Sequence, residues 1–501
     1  MRQLNLLDIP PAIEKWKVNS FSANNFGEQI ARLNLEQKLI NITEISNNFN
    51  RQSVSHQLSK KDCIHRWLKY KEGFSADLVE RLLEEFKIQV GDTILDPFVG
   101  SGTTSLVCKM KGINSIGFDI LPILKITINA KEAVYKYCTS ELKKLIKDIE
   151  NLLLPTDYTK RTIYINITEG AYPDETEREI AFFTEWNKNS RYSAIVKNLV
   201  TLCILNSLEK VSYTAKDGQY LRWDYRSKKM LKSAQYRKQK GKAPLIIRLD
   251  KREIPSLKET LLNELRSVTE NIIFIQRDKN RPADSALKFV EGSALFELPK
   301  LENNILDGVI TSPPYCNRYD YTRTYALELS YLNATDNHIK KLRQELLSCT
   351  VENKSKLNRL KEHYVSLGKG ANYDKILDIV VNNEALNEVN SSLMKRNFNG
   401  DINNKGILRM VNGYFTELSF IFAEIFRLSK HGAKVAFVND NVRYGGEIIP
   451  VDFISTELAE QIGFNPVKVY SLKQQKGNSS QQMKKFGRVP LRKSIAVWEK
   501  P

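Results

Sequence analysis

Histidine is scarce and cysteine unpaired in this chain of 501 residues, which holds five His and six Cys. The cysteines, at 63, 108, 138, 203, 316 and 349, form no CxxC pair. That spacing argues against a disulfide framework and supplies no zinc-binding pattern. Long apolar runs are missing too; none approaches the roughly 20 residues a bilayer-crossing helix needs. Neither a membrane nor a metal is expected as a partner. The opening stretch, Met1 to Trp16, has a lone arginine, a broken apolar run and early acidic residues. It fits neither a secretory signal nor a transit peptide, so a cytoplasmic address is expected. Negative charge is in short supply, with 58 Asp and Glu against 76 Lys and Arg, a formal +18. Such an excess favours a polyanion through counterion release and steering, which puts nucleic acid first among partner classes. A basic surface serving solubility alone is the plainer alternative.

What is present is a globular composition, 42% hydrophobic and 27% charged, on a chain longer than one ordinary domain. Residues 1–60 are polar and read as an accessory arm. From Ser75, "SADLVERLLEEFKI" has apolar residues at helical spacing behind a capping serine, and "GDTILDPF" reads as a turn entering a buried strand. "TTSLVCKMKG" is a helix ending in glycine and "NSIGFDI" a strand, so 61–130 holds the strand–helix–strand unit of a parallel sheet. Residues 131–284 loosen into helices joined by a basic stretch and read as an insertion. The strand rhythm resumes over 285–334, pauses for a second helical insertion at 335–407, and returns over 408–501. There a long amphipathic helix, the buried strand "AKVAFVND" and two closing strands are expected.

Two short motifs carry the chemistry. In "DPFVGSGTT", Asp96 to Thr104, the two glycines at a strand-to-helix turn let a ligand approach without meeting a Cβ atom. A plain turn is the bland reading for a bare GxG. "GFDI" follows about 20 residues on, where an acidic residue, here Asp119, accepts from ribose hydroxyls. A dinucleotide is disfavoured, because Ser105 stands where the third glycine of GxGxxG would fall. Asp96 would repel phosphate and attract a sulfonium or an ammonium. The second motif, "TSPPY", Thr311 to Tyr315, places a rigid turn and an aromatic ring at the tip of the apolar strand "ILDGVI". By itself it is an ordinary proline turn.

Together, "DPFVGSGTT" and "TSPPY" resemble the S-adenosylmethionine-dependent DNA methyltransferases that modify exocyclic amines. The resemblance implies an α/β fold, a Rossmann-like methyltransferase sheet that is mostly parallel with an antiparallel last strand and carries largely helical insertions. It implies S-adenosylmethionine as cofactor, with Asp96, Pro97, Phe98, Gly100, Ser101, Gly102 and Thr103 at its amino acid end, Asp119 at its ribose, and Phe74 and Ser75 lining the methionine pocket. Ser293, in "FVEGSALF", stands where the family often has an acidic residue for the adenine amine.

A ring amine is a poor nucleophile because its lone pair is delocalised into the base. The Ser312 hydroxyl and the Pro313 carbonyl can accept its hydrogens and localise that pair, while Pro313 and Pro314 bring no competing N–H. Tyr315 offers a face for a base flipped out of the duplex. Ser312 at the first position leans, by resemblance, toward cytosine-N4 over adenine-N6. A carbon-5 cytosine enzyme using Cys316 as nucleophile with Glu352 holding the base is the mechanistic rival, though Tyr315 separates Cys316 from the proline. An RNA substrate and a noncatalytic nucleic-acid-binding protein are the others.

The expected substrate is double-stranded DNA, with a cognate restriction endonuclease as the implied partner. "NRYDYTRTYALEL" interleaves Arg318 and Arg323 with tyrosines, and Asp320 can cap the helix that follows. "LRWDYRSKKMLKSAQYRKQKGK" is the densest basic patch, with Arg222, Arg226, Lys228 and Arg237 as DNA-binding candidates. Both insertions are candidate target readers.

Overall fold

The computed structural model describes residues 21–23, 27–55, 57–58, 62–217, 220–278, 283–472, 483–487 and 489–501. Residues 1–20, on which the leader reading rests, lie outside them. The strands, in chain order, are β1 (Thr43–Ile45), β2 (Thr93–Asp96), β3 (Asn114–Asp119), β4 (Thr214–Asp217), β5 (Tyr220–Trp223), β6 (Leu287–Glu291), β7 (Leu306–Thr311), β8 (Ser429–Asp440), β9 (Val442–Tyr444), β10 (Glu447–Ile449), β11 (Asn465–Ser471) and β12 (Lys493–Glu499).

Eight of them form one sheet in the order β1-β11-β12-β8-β7-β2-β3-β6. All neighbours run parallel except at β12, which is antiparallel to both β11 and β8. This is the expected Rossmann-like arrangement with its reversed last strand. Parallel strands covered on both faces read as short continuous apolar runs, and Ile94, Leu95, Val309 and Ile310 are fully buried accordingly. On one face the helix Ala76–Glu85 starts at Ser75, whose hydroxyl accepts from the Leu78 amide, and buries Leu78, Val79, Leu82 and Leu83. On the other, the long helix Gly406–Leu428 buries Phe415, Leu418 and Phe422 beside Phe437 and Trp498 of the sheet.

The insertions are helical, as expected, and each is anchored differently. In 131–284 the helices Ala194–Leu208 and Leu257–Gln276 close a core of their own around Leu199, Cys203 and Leu265, shared with the helix Pro122–Glu132. The second insertion divides: Ile339 and Leu342 of its first helix, Asp336–Glu345, pack into that same core, whereas its later helices join the main core, Tyr364 stacking edge-on against Phe420 at 5.3 Å. The amino-terminal segment does more than an arm would. β1 pairs in parallel with β11 and so extends the main sheet. Arg32, with no exposed surface, bonds Glu388 at 2.5 Å and Glu447 at 3.3 Å. A three-residue strand and a charge hidden among distant carboxylates leave no periodic signature, which is why the stretch reads as polar. Among the described residues, no helix is long and apolar enough to cross a membrane.

Trp498 is the aromatic hub of the sheet, fully buried, with Phe437 stacked at 5.3 Å and Phe422 edge-on at 4.9 Å. Trp498→Ala should cost about 3–5 kcal/mol of unfolding free energy, read from denaturant midpoints.

Candidate active site

Pairing of β2 with β7 brings two distant segments to one place. Ile94 lies opposite Gly308 and Leu95 opposite Val309, so the strands end side by side at Asp96 and Thr311. There the Thr311 hydroxyl donates to Asp96 Oδ1 at 2.8 Å, the Thr104 hydroxyl to Oδ2 at 2.7 Å, and the Phe98 amide to Oδ1 at 3.1 Å. Asp96 is only 2% exposed. Burial raises its pKa to about 6, against the downward pull of those three donors. The carboxylate therefore braces the glycine loop against the "SPPY" turn.

Gly100 and Gly102 both take left-handed backbone angles, φ +52° and +83°. A Cβ on Gly100 would stand 2.8 Å from the Tyr70 ring, so only glycine fits that cradle. The Gly100 amide donates to Asp119 Oδ2 at 3.2 Å, and Asp119 also takes the Ile120 and Leu121 amides at 2.8 and 3.1 Å. Burial lifts Asp119 to about 6 despite these bonds. Beneath the loop, the buried Lys131 donates to the Ser101 carbonyl at 2.7 Å, and burial lowers its pKa to about 7.

Above these groups opens a cleft enclosing about 720 Å³ of empty, partly solvent-open space. Of the residues expected at a cofactor, Phe74, Asp96, Pro97, Phe98, Gly100, Ser101, Thr103 and Asp119 border it, and so do Ser312 and Pro314 of the catalytic turn. Ser75 and Gly102 serve it indirectly. The Ser75 hydroxyl caps its helix and bonds the Ser53 carbonyl at 2.8 Å, while Gly102 turns the chain into the helix Thr103–Met110 against Ile128. Ser312 donates to the Tyr315 hydroxyl at 3.1 Å, and Pro313 is buried behind the turn. An apolar and polar cleft with a glycine cradle and a carboxylate at the next strand end fits S-adenosylmethionine.

Sequence reasoning passed over part of the wall. Tyr70 and Glu72 also line the cleft, and Glu72 accepts from the hydroxyls of Tyr319 and Tyr325, the latter at 2.7 Å. Tyr70 stacks on Tyr325 with centroids 5.5 Å apart. An aromatic and an acid just before "GFS" were the available signal. Glu345 to Leu347, from the second insertion, close the cleft beside Ser293, whose hydroxyl donates to the Glu345 carbonyl at 3.0 Å. No sequence pattern marks that contribution.

The carbon-5 alternative finds no support. Cys316 has no exposed surface, burial pushes its thiol well above the usual range, and its carbonyl accepts from Tyr444 at 2.6 Å. A packed thiol explains it, since a nucleophile needs a thiolate that substrate can reach. Glu352 is instead engaged by Arg323 at 2.9 Å.

Each DNA-binding candidate already has a partner within the chain. Arg222 pairs with Asp217, Lys228 with Asp174 at 2.7 Å, and Arg237 bonds the Ala243 carbonyl at 2.6 Å. Arg226 clasps Asp224 at 2.8 and 3.0 Å and also bonds the Arg252 carbonyl. Arg318 reaches Asn403 at 3.4 Å, and Arg323 pairs with Asp320 as well as Glu352. Asp320 caps the short helix Tyr321–Thr324, as expected. The helix Lys228–Gln239 buries none of its residues.

Two family models and several known proteins match this chain. The family described as DNA methylase matches residues 13–129, and that described as D12 class N6 adenine-specific DNA methyltransferase matches 76–245. The type II methyltransferase M.BsoBI of Geobacillus stearothermophilus is 56% identical over 97% of this chain and 95% of its own length. M.AvaI of Anabaena variabilis, also a type II methyltransferase, is 39% identical over 96% and 95%. The type II methyltransferase M.MvaI of Kocuria varians is 24% identical over 82% and 84%.

Lys131 gives a pH signature. Its native pKa lies below its unfolded one, so between about pH 7 and 10 the unfolded chain holds a proton the native state has lost, and stability should rise with pH there. The slope should reach about 1 kcal/mol per pH unit. Denaturant titrations of Lys131→Met should show that rise reduced by this amount relative to the parent.

Proposed function

The chain belongs to the type II DNA methyltransferases that modify exocyclic amines, and on that premise we propose that it methylates N4 of a cytosine flipped from a specific duplex sequence. Its donor is S-adenosylmethionine, which supplies an electrophilic methyl group on a sulfonium. Phe98, Gly100 and Ser101 would hold the amino acid end and Asp119 the ribose. The observation that carries the proposal is the Thr311 to Asp96 bond at 2.8 Å, which sets the base-side turn and the donor-side loop against each other at one cleft.

The residues of this chain then have defined tasks. The Ser312 hydroxyl directs its hydrogen bond to the Tyr315 hydroxyl, which leaves its oxygen lone pairs to accept from the target amine. With the Pro313 carbonyl as second acceptor, the amine lone pair localises on nitrogen. Extrusion of the base costs a few kcal/mol, of which stacking on the turn returns a part. The serine at the head of "SPPY" supports cytosine-N4. Adenine-N6 is the second reading, supported by the match to the D12 adenine-specific family over 76–245.

DNA engagement is assigned to the basic region around the helix Lys228–Gln239. Its freedom from burial, with Leu231 55% and Tyr236 52% exposed, suits a face that meets a partner. The pairs Arg222–Asp217 and Lys228–Asp174 are half-exposed or more, hence weak enough to exchange for phosphate. Arg226, locked on the fully buried Asp224, has a structural duty as well. The enzyme acts in the cytoplasm as the modification partner of a cognate restriction endonuclease.

Ser312→Ala should lower methyl transfer about 10²-fold with cofactor affinity kept, whereas Cys316→Ala should stay active. Full activity of Ser312→Ala would overturn the assignment. Mass analysis of nucleosides from DNA of expressing cells should find 4-methylcytosine; 6-methyladenine would establish the second reading. Arg222→Ala and Lys228→Ala should each reduce the salt slope of DNA binding by about 1.

A further inference from the structure

A buried ion pair stands directly behind the catalytic turn, and the chemistry above leaves it without a task. Lys493, the first residue of β12, is the cross-strand partner of Asp440, the last residue of β8. Their side chains lie 3.4 Å apart. β8 also borders β7, with Phe437 opposite Thr311, so Asp440 lies at the strand tips beside the residue that leads into Ser312. The Lys493 ammonium sits 5.1 Å from the centre of the Tyr315 ring. Lys493 is 9% exposed and the Asp440 side chain 20%, so the lysine is the more deeply buried of the two.

Such a pair is an expensive way to hold a fold together. Removing two charges from water often costs as much as their attraction returns, and an apolar pair would serve a sheet equally well. Burial pulls the pKa of Lys493 down, yet Tyr315 and Asp440 together hold it above the ordinary lysine value. The ammonium is thus kept charged over the ring of Tyr315, which stands behind Ser312 and Pro314, the residues of the turn that border the cleft. A cation over a ring is attracted to its face and restrains it, and the Tyr315 hydroxyl in turn accepts the Ser312 hydrogen bond at 3.1 Å.

We propose that Lys493, oriented by Asp440, is a positioning residue for methyl transfer: it fixes the ring and hydroxyl of Tyr315, so that Ser312 keeps its proton turned toward Tyr315 and its lone pairs toward the target amine. Asp440 balances the ammonium, so that no net positive charge faces the cationic donor. This rests on the reading that Ser312 and Tyr315 receive the flipped base.

The test is a double-mutant cycle on the full-length enzyme, with unmethylated duplex DNA and S-adenosylmethionine, in which kcat and both KM values are measured. Lys493→Met should lower kcat about tenfold or more and leave KM for the cofactor within about twofold. Lys493→Arg should recover part of the loss. In a Tyr315→Phe background, Lys493→Met should cost less than about twofold, because the hydroxyl it orients is already gone. Asp440→Asn gives the same cycle with a milder change, should Lys493→Met fail to fold. A kcat within twofold of the parent for the folded variants, or an undiminished loss in the Tyr315→Phe background, would overturn the proposal. The two layers separate cleanly: full activity of Ser312→Ala sinks the base-site reading, whereas an inactive Ser312→Ala beside a fully active Lys493→Met sinks this inference alone.

Discussion

One buried carboxylate holds the two halves of the site in register. Asp96 ends one strand, accepts from Thr311 at the end of its neighbour and from Thr104 at the start of the helix beyond the glycine loop. Two motifs 215 positions apart in the chain are thereby tied to a single side chain. Burial raises its pKa to about 6, because the charge is sheltered from water and met only by neutral donors. The position of the loop, and with it Gly100 and Ser101, follows from that tie. So does the position of Ser312, one residue beyond Thr311.

A second tier of contacts surrounds the first. Lys131 pins the loop from below, and Tyr70 presses on it from the side. Glu72 gathers Tyr319 and Tyr325 from the segment following the catalytic turn, while the Lys216 ammonium lies 4.4 Å from the Tyr325 ring and pairs with Glu328. Lys216 belongs to β4, one strand of the hairpin that carries Arg222. The basic region is therefore joined to the cleft wall through side chains packed against one another, and is no loosely appended module.

Much of this could be read from the residues alone. Asp96 to Thr104 and Thr311 to Tyr315 announced themselves because glycine, proline and spacing are local signals, and the helix capped by Ser75 followed from its periodicity. The parallel sheet was legible because its strands are short apolar runs. The wall formed by Glu345 to Leu347 was not, since a loop in an insertion acquires meaning only when the fold delivers it to Ser293. Lys493 was hidden for the same reason. A lysine opening a strand looks like any exposed charge until β8 and the turn are packed around it. Arg32 and the short β1 show the converse, a polar stretch that long-range pairing draws into the core.

The adjacency of β2 and β7 has a consequence for how the molecule assembles. These central strands are separated by about two hundred residues of chain, so their pairing is a contact of high order and carries a large loop-closure entropy. The first insertion fills much of that intervening chain, and its core around Leu199, Cys203 and Leu265 is shared with Ile123 and Leu124 on one flank and Tyr321 and Tyr325 on the other. The cleft between these strands thus rests on a contact between remote parts of the chain, and it cannot be complete before that pairing is made.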